Sequence, residues 1–231
     1  MTASAPARAG SVRVLSFLSS TVGKKAVMAI SGIALFGFVV IHLIGNLQIF
    51  LGPDVFNAYA RSLRHLPALV WSSRVVLLVM VTLHIWVSLQ LAVGKSEARP
   101  IGYERHVSAG SMYASRTMYM SGPIIAAFVV YHLLQFTFGI GGTKFEQFDA
   151  YGNVINGFQV PVVSGFYVIA IALLCVHLRH GLWSIFQTLG FHHERYLRRV
   201  KNAAGFIAML IFLGFVSIPI AVVLRIIPEI L

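Results

Sequence analysis

Ionisable side chains stand out in the long apolar run from Pro161 to about Leu189, where His177, Arg179 and His180 lie within one helical turn of each other. At hydrocarbon depth such a group costs roughly 2.5–3.5 kcal/mol on insertion scales and needs a partner or a function. Three other apolar runs carry one histidine each, His42, His84 and His132. An imidazole in that setting can hydrogen-bond across helices, ligate a metal or pass a proton. Depth and neighbours decide among these.

The elements that must position them are membrane helices. With 231 residues, 58% of them hydrophobic and 11% charged, the chain has too little polar surface to clothe a soluble globule. A spanning helix needs roughly 20 apolar residues, and five windows qualify, about 25–50, 68–93, 118–138, 162–189 and 203–226. The expectation is an all-α, five-transmembrane-helix bundle, one membrane domain over residues 1–231. The first long run has no small-residue cleavage pattern behind it and reads as a retained helix. Cys175 is the single cysteine, which excludes disulfides, a thiolate-held iron–sulfur cluster and covalent haem attachment within this chain.

The 18 Lys and Arg against 7 Asp and Glu do not point to nucleic acid, because in a membrane protein their distribution sets orientation. Arg8, Arg13, Lys24 and Lys25 precede the first run. Lys95, Arg99, Arg105 and Arg116 lie between the second and third, and Arg195, Arg198, Arg199 and Lys201 between the fourth and fifth. All fall on one side, while Arg61, Arg64, Arg74, Lys144 and Arg225 go to the other. The N-terminus is expected to be cytoplasmic, with the two sides termed inner and outer.

Counting residues at 1.5 Å each gives depth. His42 comes about 17 residues, or about 26 Å, past Lys25, in the outer half. His132 follows Arg116 by 16 residues and is also outer. His84, 11 residues before Lys95, is inner, as are His177 and His180. The outer connection from Leu51 to Pro67 is expected to hold a short interfacial helix around Val55, Phe56, Tyr59 and Leu63, with His65 solvated. The outer connection 139–160 exceeds 20 residues and is expected to have structure and cover something. The inner loop 94–115, with His106, reads as irregular, and Pro123 and Pro219 as kinks.

Two histidines from different helices at one level can clamp a planar macrocycle, each giving one axial nitrogen to its iron. His42 with His132, and His84 with His177 or His180, would hold two haems b. The alternative for any one of them is an interhelical hydrogen bond. A zinc or copper site would want three or four donors at one level, and a proton relay normally uses intramembrane Asp or Glu. None of the seven acids falls mid-helix.

Four strings carry a resemblance: Ser20-Thr21-Val22-Gly23-Lys24-Lys25-Ala26-Val27-Met28-Ala29-Ile30-Ser31-Gly32, His42-Leu43-Ile44-Gly45-Asn46-Leu47, Asp149-Ala150-Tyr151-Gly152-Asn153-Val154, and His177 to Gly190. The chain resembles, over nearly its whole length, the cytochrome b558 family, the dihaem membrane anchors of succinate dehydrogenase and related fumarate reductases. The resemblance implies five helices with two haems b stacked across a bacterial cytoplasmic (inner) membrane. It implies a flavoprotein, where succinate and fumarate interconvert, and an iron–sulfur protein on the cytoplasmic face. It selects His177 as the fourth ligand, since Gly181-Leu182-Trp183 begins four residues after it. His180 would then hydrogen-bond a haem propionate or a quinone. Electrons would pass between the iron–sulfur subunit, the inner haem (His84, His177), the outer haem (His42, His132) and menaquinone, the quinone the resemblance implies.

Lys24, Lys25, Arg116 and Arg179, near the inner boundary, are candidates to neutralise haem propionates, against plain positive-inside orientation and snorkelling. Asn46, Gln48 and Gln135 are candidate hydrogen-bond partners for quinone near the outer haem. Some relatives place a glutamate two residues before the fourth ligand, linked to transmembrane proton movement; Cys175 stands there, which puts that path in doubt. Trp71, Trp86 and Trp183 can be read as haem or quinone contacts, most of the aromatic residues being more simply lipid-facing or interfacial, and Trp183, a turn and a half past His177, is the one of interest. Two other readings stay open: the cytochrome b of another membrane dehydrogenase, and a haem-free anchor or transporter.

Overall fold

The computed structural model describes residues 16–97, 111–190 and 193–227, without the side chains at 95–97, 111–117 and 194. Helix α1 covers Thr21–Leu47. Ser20 starts it by accepting a hydrogen bond on its hydroxyl from the Gly23 N–H at 3.0 Å, so one of the free donors of the first turn is satisfied. A 3-10 turn, Gln48–Leu51, and Gly52 at φ 97° then redirect the chain. Helix α2, Pro53–Arg64, has proline at its start, Asp54 in its first turn and Arg61 and Arg64 in its last, an arrangement that complements the helix dipole.

Helix α3 (Pro67–Glu97) and helix α4 (Ser111–Phe136) are the next two spans. Helix α5, Ala150–Phe158, occupies the long connection and is short but buried. Helices α6 (Pro161–Thr188) and α7 (Glu194–Val223) complete the bundle. Among the described residues five helices, α1, α3, α4, α6 and α7, are long and apolar enough to cross a membrane. There is no β-strand among the described residues. Helices α4 and α7 stay continuous through Pro123 and Pro219.

Three starts lie earlier than hydropathy suggests: Thr21 against 25, Ser111 against 118 and Glu194 against 203. Hydropathy marks the hydrocarbon slab, whereas backbone hydrogen bonding continues through charged turns whose long side chains reach the interface. Lys24, Lys25, Arg195, Arg198, Arg199 and Lys201 are therefore on helices and not in loops. The interfacial helix expected at Val55–Leu63 is α2, with Phe56 buried and His65 exposed at its end. His106, with the middle of its loop, and Arg8 and Arg13 lie outside the described residues.

Helix α6 packs along α7 and against α4, and α3 packs along α1. Helix α1 also touches α6 and α7, while α3 and α4 share no extended contact among the described residues. That leaves a seam between the α1–α3 and α4–α6 pairs. Helices α2 and α5 close the end of the bundle where α1 finishes. The Asn57 side chain joins them, donating to Asp149 Oδ1 at 2.9 Å and accepting from the Tyr151 N–H at 3.0 Å. Asp149 also caps α5 by accepting from the Gly152 N–H at 2.9 Å. Under this cap Tyr151, Ile155, Phe158, Tyr167 and Ile171 form the core, and the remaining helix faces present apolar side chains outward, as a lipid-facing surface requires.

Candidate functional site

Across the seam the histidines meet in two places. Toward the capped end His42 of α1 faces His132 of α4, ring centres 5.7 Å apart and planes at 87°. Toward the other end His84 of α3 faces His177 of α6 at 6.2 Å and 56°. Each pair joins helices from opposite sides of the seam.

The surroundings differ. The His42–His132 pair is walled by aromatic rings: Phe38 stacks on His42 at 5.3 Å, Phe215 lies 6.0 Å from it, and Phe128 and Phe136 lie 6.0 and 5.5 Å from His132. Tyr167 of α6 brings its hydroxyl to 3.4 Å from His132 Nδ1. The His84–His177 pair is held by serines instead. Ser31 Oγ is 3.1 Å from His84 Nδ1, and Ser121 Oγ is 3.3 Å from His177 Nδ1. Ser31 donates its own proton to the Val27 or Met28 carbonyl, at 2.8 and 3.1 Å. With that proton so used, the Ser31 oxygen is free to accept from His84 Nδ1, an arrangement that would leave Nε2 with a free lone pair, the state a metal ligand needs.

A metal gripped from opposite sides by imidazole at about 2.0–2.1 Å per bond, with roughly 1.1–1.2 Å more from each nitrogen to its ring centre, separates the two ring centres by about 6.3–6.5 Å. The His84–His177 separation of 6.2 Å is close to that span, and the His42–His132 separation of 5.7 Å is shorter. Among the described residues no three His, Cys, Asp or Glu side chains converge as a metal cluster. The described donors come in twos, whereas a structural zinc site takes four.

The remaining candidates are more scattered. His180 packs its ring against Trp183 at 5.4 Å, and its Nδ1 is buried without a hydrogen-bond partner. Lys201 of α7 sits over the Trp183 ring at 4.7 Å. Arg179 is exposed and runs along α7, its Nε within 3.6 Å of where a Cβ on Gly205 would be. Lys24 lines a groove of about 470 Å³ between α1 and α3 with Ser19, Trp86 and Gln90, and Lys25 is exposed. The Arg116 side chain lies outside the described residues. Asn46 donates to the His42 carbonyl at 2.7 Å, Gln48 is half-buried in the 3-10 turn, and Gln135 is buried and shares the Tyr167 hydroxyl with His132. Cys175 is buried on α6.

A family model of the succinate dehydrogenase/fumarate reductase transmembrane subunit matches residues 95–217. The chain belongs to that family. The matched stretch, more than half of the chain, contains His132, His177 and His180 and stops short of His42 and His84. No curated protein and no solved structure matches the chain.

Three site residues of this transmembrane subunit escape a reading of the sequence alone: Ser31, Ser121 and Tyr167. Each is a common polar residue in an apolar run. Only the packing angle of its helix reveals that it meets a histidine.

Proposed function

We propose that this chain is the dihaem cytochrome b anchor of a succinate:quinone oxidoreductase, with His42 and His132 as axial ligands of one haem b and His84 and His177 of the other. The observation that supports it best is the meeting of two histidine pairs, each drawn from two different helices, in a member of this family. When bound, haem iron supplies one-electron transfer by alternating between its ferric and ferrous forms.

The chain's own part is to hold and insulate. The serines and Tyr167 orient the imidazoles, and the ring wall of Phe38, Phe128, Phe136 and Phe215 keeps water from the outer pair. Lys24, Lys25, Arg116 and Arg179 are the proposed partners of propionates. The buried, unpartnered His180 Nδ1 is a candidate donor or acceptor for a propionate or a quinone. Asn46, Gln48 and Gln135 are the proposed quinone contacts, and of these Gln135 keeps an unused buried N–H₂ group. Menaquinone is the proposed quinone. The iron–sulfur and flavoprotein subunits are the proposed partners at the Lys24 end, taken as cytoplasmic in a bacterial inner membrane, and the flavoprotein carries the succinate chemistry.

The test is a pyridine haemochrome assay and a reduced-minus-oxidised spectrum on the purified complex. Wild type is compared with His42→Ala, His84→Ala, His132→Ala, His177→Ala and His180→Ala. The expected result is two haems b per chain in wild type, loss of haem in the first four variants and both haems retained in the last. Wild-type complex without haem overturns the proposal. Absence of a flavoprotein from the complex leaves the haem assignment and overturns the choice of succinate as donor.

A further inference from the structure

Tyr167 and Gln135 are nearly inaccessible, 3% and 2% exposed, and their side chains meet beside His132. The Tyr167 hydroxyl has one proton, and it goes to Gln135 Oε1 at 2.8 Å. The phenol oxygen is then left as an acceptor, 3.4 Å from His132 Nδ1. A neutral imidazole has one N–H, so an Nδ1–H aimed at Tyr167 leaves Nε2 bare. Turning the Gln135 amide over would set an N–H against the phenol oxygen, send the phenol proton toward His132 and put the imidazole proton on Nε2. That tautomer has no lone pair for a metal.

We propose that Tyr167 is a positioning residue that fixes the His132 tautomer, and that Gln135 fixes Tyr167. The surrounding rings hold the relay rigid: Phe158 lies edge-on to Tyr167 at 4.9 Å, Phe128 at 5.0 Å and Phe136 at 5.9 Å. The function of such a relay rests on the haem assignment proposed above. An imidazole that donates from Nδ1 is a more basic ligand, which favours the ferric state and lowers the reduction potential of its own haem. The second pair uses serines and lies outside this network.

The experiment uses the purified complex of wild type, Tyr167→Phe and Gln135→Leu. Spectroelectrochemical titration resolves the two haems, and ¹⁵N spectra of histidine-labelled chain in membranes read the His132 tautomer. Both variants should raise the potential of one and the same haem, by up to about tenfold in the oxidised-to-reduced equilibrium, ~59 mV for one electron. The other haem should hold. The His132 Nδ1–H signature should be weakened in both.

No shift, or an equal shift of both haems, overturns the inference while haem in wild type leaves the proposed function standing. Wild type without haem overturns the proposed function, and the ¹⁵N spectra then decide the tautomer lock alone. Gln135→Leu keeps the Tyr167 ring and its packing, so it carries the test should Tyr167→Phe assemble poorly.

Discussion

Ser31→Ala is the most informative single change in the second histidine pair. Ser31 is 1% exposed, and its Oγ lies 3.1 Å from His84 Nδ1. Alanine keeps the Cβ and removes one oxygen, so packing changes little. The hydroxyl proton that went to the Val27 or Met28 carbonyl is no great loss, since a helix carbonyl retains its backbone donor. The cost falls on His84, whose ring loses its serine partner and keeps a backbone hydrogen bond at Met28. Removing the supporting partner of a metal-ligating histidine typically lowers affinity by about 10–100-fold, which at ~1.4 kcal/mol per tenfold is ~1.4–2.8 kcal/mol. The assay is transfer of haem from the purified complex to an excess of an apo-haem acceptor, followed by spectra that distinguish the two haems. One haem should leave about 10–100-fold more readily and the other as in wild type. Retention of both within twofold of wild type, or equal weakening of both, would refute the reasoning that Ser31 serves His84.

Ser121→Ala should weaken the same haem as Ser31→Ala, by a similar factor, since Ser121 stands at 3.3 Å from the opposing His177; the same transfer assay reads it. Asn57→Ala removes the two Asn57 hydrogen bonds to Asp149 and Tyr151 and should cost about 1–3 kcal/mol, seen as a lower midpoint in thermal unfolding of the detergent-solubilised complex. Gly157→Ala places a Cβ 3.0 Å from Gln135 Nε2 and 3.2 Å from the Phe136 ring. Overpacking of about 1–3 kcal/mol is offset by roughly 1 kcal/mol of helix propensity, so a net loss of ~1 kcal/mol is expected in the same unfolding experiment.

Several features are legible from residue order because their causes are local. Each spanning run is apolar enough on its own account, so five helices follow from hydropathy without knowledge of their neighbours. Depth is likewise a matter of counting, which sets His42 level with His132 and His84 level with both His177 and His180; packing brings the His84 ring to His177. Helix starts were less legible. Hydropathy stops at the slab boundary, whereas the α4 and α7 helices continue through polar and charged turns to Ser111 and Glu194. The long outer connection announced itself only by length. Its burial as α5 depends on Asn57, 92 residues before Asp149, reaching across to cap it.

The amino-acid order by itself determines that this chain crosses a membrane five times and carries its histidines at two levels, because transfer free energy and helical rise act residue by residue. Tertiary structure alone decides that the rings of each level face one another, at 5.7 and 6.2 Å across a seam between helix pairs. It also decides that Ser31, Ser121 and Tyr167, from helices distant in sequence, meet particular Nδ1 atoms. The reason is rotational: a helix's depth is fixed by its composition, but the direction each side chain points is fixed by how that helix packs against its neighbours.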